Sequence, residues 1–178
     1  MRVWLVGMMG VGKSTVGQLV ASRLGVPFVD LDDRVEAAAH ATIAELFARE
    51  GEHGFRAREA AEVARAAHEA DAVIAVGGGA PCFGENLTNM LSSGIVVWLS
   101  APVDELAARV GDGTRRPLLA AGATPAKRRE TIARLLEART PYYARATVTI
   151  DTGGLPPSRV ASAVLDAIGP PAPHGTVA

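Results

Sequence analysis

The sequence predicts an α/β fold in three layers, α/β/α, around a five-stranded parallel sheet. Three observations predict it. Short apolar runs alternate with amphipathic stretches along the whole chain, which demands a parallel sheet with right-handed crossovers. A glycine-rich loop, Gly7 to Ser14, separates the first apolar run from the first amphipathic stretch. At 178 residues, 48% hydrophobic and 21% charged, the chain suits one globular domain with a proper core.

The run Val3-Trp4-Leu5-Val6 reads as a fully buried strand, and Val16, Leu19, Val20 and Leu24 recur at helical spacing. Between them, Gly7-x-x-Gly10-Val11-Gly12-Lys13-Ser14-Thr15 fits the G-x-x-x-x-G-K-[ST] phosphate-binding pattern. Its glycines let backbone N–H groups converge on phosphate oxygens, and the helix N-terminus adds a positive dipole. Lys13 can reach the outer phosphates and the Ser14 hydroxyl can ligate Mg²⁺. A nucleoside triphosphate is the ligand this loop implies.

Val26 to Val29 leads into Asp30-Leu31-Asp32, read as a second strand ending in two acids. Residues i and i+2 of an extended chain point the same way, so both carboxylates can face one site. Ordinary strand-end acids would instead cap the next helix, a role that suits Asp33 in a helix running towards His40. Thr42-x-x-Glu45 has the spacing of a capping box, and Gly51 should break the helix it starts. A longer helix then carries Phe55, Arg56, Arg58 and Glu59. Only one face of it can point into a cleft, and periodicity does not choose between Arg56 and Arg58.

Val73 to Val76 is the third strand, and it ends in Gly77-Gly78-Gly79. Three glycines after a buried strand point to close approach of backbone to a ligand, though a flexible turn would read alike. After a short helix near Leu87 to Leu91 comes the strand Ile95 to Leu99, and Pro102 opens a helix through Arg109. The Gly/Ala-rich stretch from Gly111 to Ala123, with Arg115-Arg116-Pro117, reads as a mobile surface segment, or lid. A closing arginine there would exclude water and offset charge on a transferring phosphoryl group; a plain surface pair is the alternative.

Thr124-Pro125 caps a helix whose Ile132, Leu135 and Leu136 face inward, with Arg139 at its end, where it could simply complement the helix terminus. Val148-Thr149-Ile150 is the last strand, Val160 to Ile168 the closing helix, and the Pro-rich residues 169–178 a disordered tail.

Eighteen basic against 19 acidic residues give no electrostatic case for nucleic acid or a membrane surface. No apolar stretch approaches the ~18 residues of a membrane span. The single cysteine, Cys82, excludes an internal disulfide and reads as a small buried apolar residue; the histidines lack metal spacing. A phosphate loop opening at residue 7 leaves no room for a cleaved signal peptide. Together these predict a cytoplasmic protein.

With these pieces in place, the chain resembles the shikimate kinases, of the nucleoside-monophosphate-kinase-like branch of P-loop proteins. The resemblance runs from Met1 to about Ile168 as a single domain, with an acceptor-binding segment at about 31–61 and the lid at about 111–124. Five signatures carry it, in the family's order: the phosphate loop, Asp30-x-Asp32, Phe55-Arg56-x-x-Glu59, Gly77-Gly78-Gly79, and Arg116-Pro117-Leu118-Leu119 followed by Arg139-x-x-Tyr142.

The resemblance implies ATP-dependent phosphorylation of the shikimate 3-hydroxyl, giving shikimate 3-phosphate and ADP in aromatic amino-acid biosynthesis. It implies Ser14 and Asp30 at Mg²⁺, and the loop residues Gly10 to Thr15, Lys13 among them, at the ATP phosphates. Asp32 is implied at the acceptor hydroxyls, Arg56 and Arg139 at its carboxylate, and Gly77, Gly78 and Gly79 along its pocket. Glu59 would orient Arg56, Arg116 would reach the phosphates from the lid, and Arg109 would lie against adenine. Ile43, Phe47, Phe55, Pro117 and Leu118 match apolar pocket walls, and the family is typically monomeric. Residues 80–86 depart from the pattern expected there. Competing readings are another small-polyol kinase, such as a gluconate kinase, and a non-catalytic nucleotide-binding module.

Overall fold

The computed structural model describes residues 1–110 and 124–169. Residues 111–123 of the expected lid, with Arg116, Pro117 and Leu118, and the tail beyond Gly169 fall outside the described residues. Five parallel strands form one sheet in the order β2-β3-β1-β4-β5. They are β1 (Val3–Val6), β2 (Phe28–Asp30), β3 (Val73–Ala75), β4 (Ile95–Ser100) and β5 (Val148–Asp151). Seven described α-helices flank them: α1 (Lys13–Leu24), α2 (Leu31–Ala39), α3 (Ile43–Ala66), α4 (Asn86–Ser93), α5 (Val103–Val110), α6 (Pro125–Tyr143) and α7 (Pro157–Ile168).

The central strand β1 is buried at every residue, as an apolar run covered on both faces must be. Trp4 and Leu5 are among the largest fully buried side chains, and Trp4 Nε1 meets its hydrogen-bonding need at Ser93 Oγ, 3.1 Å away. Register decides where the site forms. Leu5 pairs with Ala75, and Ala75 pairs with Asp30, so three neighbouring strands end nearly level. The loops after β1, β3 and β2 therefore leave one edge of the sheet side by side, where open α/β sheets bind ligands.

Two boundaries differ from the expectation. The strand expected to carry both Asp30 and Asp32 stops at Asp30, and Leu31 already begins α2. Asp30, extended at φ −99° and ψ 119°, caps that helix by accepting from Asp32 N over 3.1 Å. The cap is thus Asp30 rather than Asp33, which sits in the first turn beside Asp32. A carboxylate at the cap position outcompetes continued extension because it satisfies an orphan N–H and complements the helix dipole. Further along, α6 does not end at Arg139 but runs on through Pro141 to Tyr143.

The other local signals formed as read. Thr42 and Glu45 make the full capping box at the start of α3. Gly51 interrupts that helix at φ 70° and ψ −179°, a conformation open to glycine. Val35, Leu46 and Phe55 form a small second core, with Phe47 and Phe55 rings 4.9 Å apart. This cluster fixes α2 against α3 and so sets where Asp32 and Arg56 point.

Candidate active site

The phosphate loop connects β1 to α1 through Gly7, Gly10 and Gly12, at φ 138°, 79° and 98°. At Gly7 a β-carbon would strike the Leu99 carbonyl of β4, and at Gly10 it would come within 2.8 Å of Val110 Cγ2. Lys13 Nζ donates to Gly7 O (2.8 Å) and Met8 O (3.1 Å), which holds the ammonium over the loop. Val11 is buried, and its N–H donates to Met8 O within the loop.

Ser14 Oγ donates to Asp30 Oδ2 over 2.7 Å. Two hard oxygen ligands thus stand together at the loop, a donor set that fits a small divalent cation of the Mg²⁺ kind. The cavity around them, about 510 Å³, is lined by Gly10, Gly12, Lys13, Ser14 and Thr15 on one side. Asp30, Asp32, Asp33, Glu36 and Ile43 line another part, and Gly77 and Gly78 close it. Burial, with Asp30 and Glu36 adding to it, raises the Asp33 carboxyl. A polyphosphate entering beside four carboxylates needs cations to offset the repulsion.

The triple glycine runs from this cavity to a second one of about 480 Å³, bordered by Glu52, His53, Arg56, Gly79, Cys82, Phe83, Ala138 and Arg139. Its glycines have a steric reason. A β-carbon on Gly77 would collide with Glu59 Oε1 and stand 3.0 Å from Asp32 Oδ1, and one on Gly79 would collide with the Arg56 guanidinium. The backbone is the surface on which the charged side chains lie.

Arg56 and Arg139 are each only 7% exposed, and both border the second cavity. Arg56 Nη1 donates to Glu59 Oε2 over 2.7 Å, and Nη2 reaches Glu52 Oε1 at 3.3 Å. Burial works against the Arg56 charge, and the two carboxylates more than offset it. Glu59 is fully buried; burial raises its carboxyl, Arg56 lowers it, and the result stays above the usual carboxylate range. Arg139 forms no ion pair among the described residues; its Nη1 donates to Met8 Sδ at 3.6 Å. A buried guanidinium with no acid in direct ion-pair contact is a ready anion site.

Of Arg56 and Arg58, it is Arg56 that borders the second cavity. Arg58 turns outward and forks onto Glu50 at 2.7 and 3.0 Å. Arg109 is tied to Glu105 at 2.7 Å, with its Cβ beside Gly10 at the loop's outer edge. Cys82 departs from expectation: it is half-buried and lines the second cavity, and burial raises its thiol against the pull of Arg139 and Arg56.

Tyr143 went unrecognised in the sequence, where Tyr142 stood in the signature. Tyr142 is exposed, whereas Tyr143 is fully buried. The signal was available: Ile132, Leu136, Arg139 and Tyr143 follow one helical face at steps of four, three and four.

A family model described as shikimate kinase matches residues 9–169. The shikimate kinase of Novosphingobium aromaticivorans is 45% identical over 168 residues, covering 92% of this chain and 85% of that one. That of Symbiobacterium thermophilum is 49% identical over 147 residues, covering 82% and 83%. Among solved structures, a shikimate kinase from Acinetobacter baumannii in complex with shikimate superposes with a TM-score of 0.89. It is 36% identical, over 94% of this chain and 92% of that one. On the family model, the identities and the shared architecture together, the chain belongs to the shikimate kinase family.

Proposed function

We infer that the chain transfers the γ-phosphoryl group of ATP to the 3-hydroxyl of shikimate, with Mg²⁺ held by Ser14 and Asp30. One observation carries the reading: two nearly buried arginines, only one of them acid-paired, border a cavity that adjoins the phosphate loop across Gly78 and Gly79. A small carboxylated polyol of shikimate's kind suits that layout, its carboxylate on Arg56 and Arg139 and a hydroxyl towards Lys13. A bidentate fork matches a carboxylate, and leaving the second guanidinium unpaired penalises a neutral polyol.

In the reaction the acceptor oxygen bonds to the γ-phosphorus while the bond to the β,γ-bridging oxygen breaks, and ADP leaves. The hydroxyl proton passes to Asp32 or on to solvent. Asp32, at the edge of the first cavity, orients the hydroxyl; an ordinary Asp is a weak base, and a loose transition state asks for little early proton removal. Lys13 and the loop N–H groups take up phosphate charge, Arg109 borders the adenine, and Arg116 offsets charge on the transferring phosphoryl group. Mg²⁺ held by Ser14 and Asp30 would supply charge neutralisation for the phosphoryl transfer. No described helix is long and apolar enough to cross a membrane. Tyr142 and Leu155 are the exposed large apolar residues among those described, which supports a monomer.

ADP release in a coupled assay tests the reading, with Mg-ATP alone, with shikimate, and with gluconate. Stimulation by shikimate alone, largely lost in Arg139→Ala, is the expected result. Stimulation by gluconate instead, or by neither, would overturn the acceptor.

A further inference from the structure

Tyr143 has no part in the chemistry above, yet it joins three pieces of the site. Its hydroxyl donates to Gly78 O over 2.6 Å. Oη also stands 3.7 Å from Met8 Sδ, the sulphur that accepts from Arg139 Nη1. A β-carbon on Gly78 would lie 3.0 Å from Arg139 Nη1, 3.3 Å from Gly7 O and 3.5 Å from Tyr143 Oη. The phosphate loop, the triple glycine and the second arginine therefore converge on one phenol.

A phenol has one proton, and the short contact to Gly78 O takes it. In a planar trans peptide the carbonyl and the following N–H point opposite ways. Turning Gly78 O towards Tyr143 thus sends the Gly79 N–H away from it. No backbone carbonyl among the described residues accepts from the N–H of Gly77, Gly78 or Gly79, and Gly79 borders the second cavity. A Gly-Gly peptide rotates at little cost, so an anchor decides which way it faces. The Arg139 guanidinium and Oη meet at the same Met8 sulphur. Burial keeps the phenol protonated far above neutral pH, with Arg139 opposing. A buried hydroxyl in place of a bare ring is costly without such partners.

We propose that Tyr143 is a positioning residue for the acceptor: its hydroxyl fixes the Gly78–Gly79 peptide and the Arg139 guanidinium in the arrangement that receives a carboxylate. Through Met8 the same contact ties that arrangement to the phosphate loop. The proposal rests on the shikimate reading and extends it.

The test uses the full chain as wild type, Tyr143→Phe, Arg139→Lys and the double variant, with kcat and both KM values measured beside the thermal midpoint. Loss of one hydrogen bond to the clamp should raise KM for shikimate about tenfold in Tyr143→Phe. KM for ATP should stay within about twofold, and the double variant should lose less than the product of the single losses. A shikimate KM within about twofold of wild type overturns the proposal, and so does a parallel rise in both KM values with a large fall in midpoint. If Tyr143→Phe does not fold, Met8→Leu decides: a shikimate KM raised about threefold supports the proposal, and an unchanged one overturns it. Wild type unresponsive to shikimate removes the acceptor reading and this proposal together, whereas responsive wild type with an indifferent Tyr143→Phe removes this proposal alone.

Discussion

Ser14 Oγ and Asp30 Oδ2 lie 2.7 Å apart, and the other oxygen of the same carboxylate caps α2 through Asp32 N. On the proposed reading, one side chain serves both the fold and the chemistry, and two substitutions separate the roles. Asn is as good a helix cap as Asp but carries no charge for a cation. Asp30→Asn should keep the thermal midpoint within about 2 °C of wild type while activity falls at least about 100-fold. Asp30→Ala should lose the same activity and a further cap worth about 1 kcal/mol, or about 2–4 °C. Equal midpoints for the two variants would show that the cap contributes nothing.

Arg56 and Arg139 border the same cavity but sit in different electrostatic surroundings, so truncating them should differ in stability more than in binding. Arg56→Ala strands the buried Glu59 carboxylate, a loss of about 3–5 kcal/mol for a broken buried pair. Arg139→Ala strands no acid among the described residues and should unfold later than Arg56→Ala. Both should raise KM for shikimate by about 10- to 100-fold, the range expected for a hydrogen bond to a charged group. Thermal denaturation beside steady-state kinetics on the two variants checks this.

Arg58 provides the contrast. Its fork onto Glu50 holds that carboxyl down at about 2, with Arg49 helping, and the pair spans the break at Gly51 away from both cavities. Arg58→Ala should leave kcat and both KM values within about twofold, with stability changed by no more than an exposed ion pair's worth. Its effect should fade as pH falls from the usual glutamate range towards 2. There Glu50 becomes protonated in folded and unfolded chains alike.

Which of these features the sequence discloses follows from the range of the force involved. The phosphate loop, the Thr42–Glu45 box and the Gly51 break are local, set by residues within a turn of each other, and each formed as read. Arg56 and Arg58 are separated only by the side on which α3 packs, a tertiary fact. The same holds for Cys82, whose apolar character says nothing of the cavity it borders. Asp30 misled because Leu31 extends an apolar pattern that the cap then overrides. Tyr143 was legible through helical spacing, but only if α6 is taken past Pro141.

Glu59 confers a pH dependence of definite sign. Its folded carboxyl lies above the usual value of 4.5, because burial outweighs the pull of Arg56 and Asp32 adds to the burial. Between that usual value and the raised one, the folded chain holds a proton that the unfolded chain has released. Stability therefore falls as pH rises through the window and is constant above it. Binding should run the other way. Ionised Glu59 accepts from Arg56 and fixes its fork, whereas protonated Glu59 gives up half of the charge pair. The kcat/KM for shikimate should accordingly climb across the same window in which the thermal midpoint declines. Glu59→Gln should flatten both profiles there, keep a hydrogen-bonding oxygen for Arg56, and leave KM for ATP in place. Parallel rather than opposed profiles in the wild type would mean that Glu59 does not act on the acceptor through Arg56.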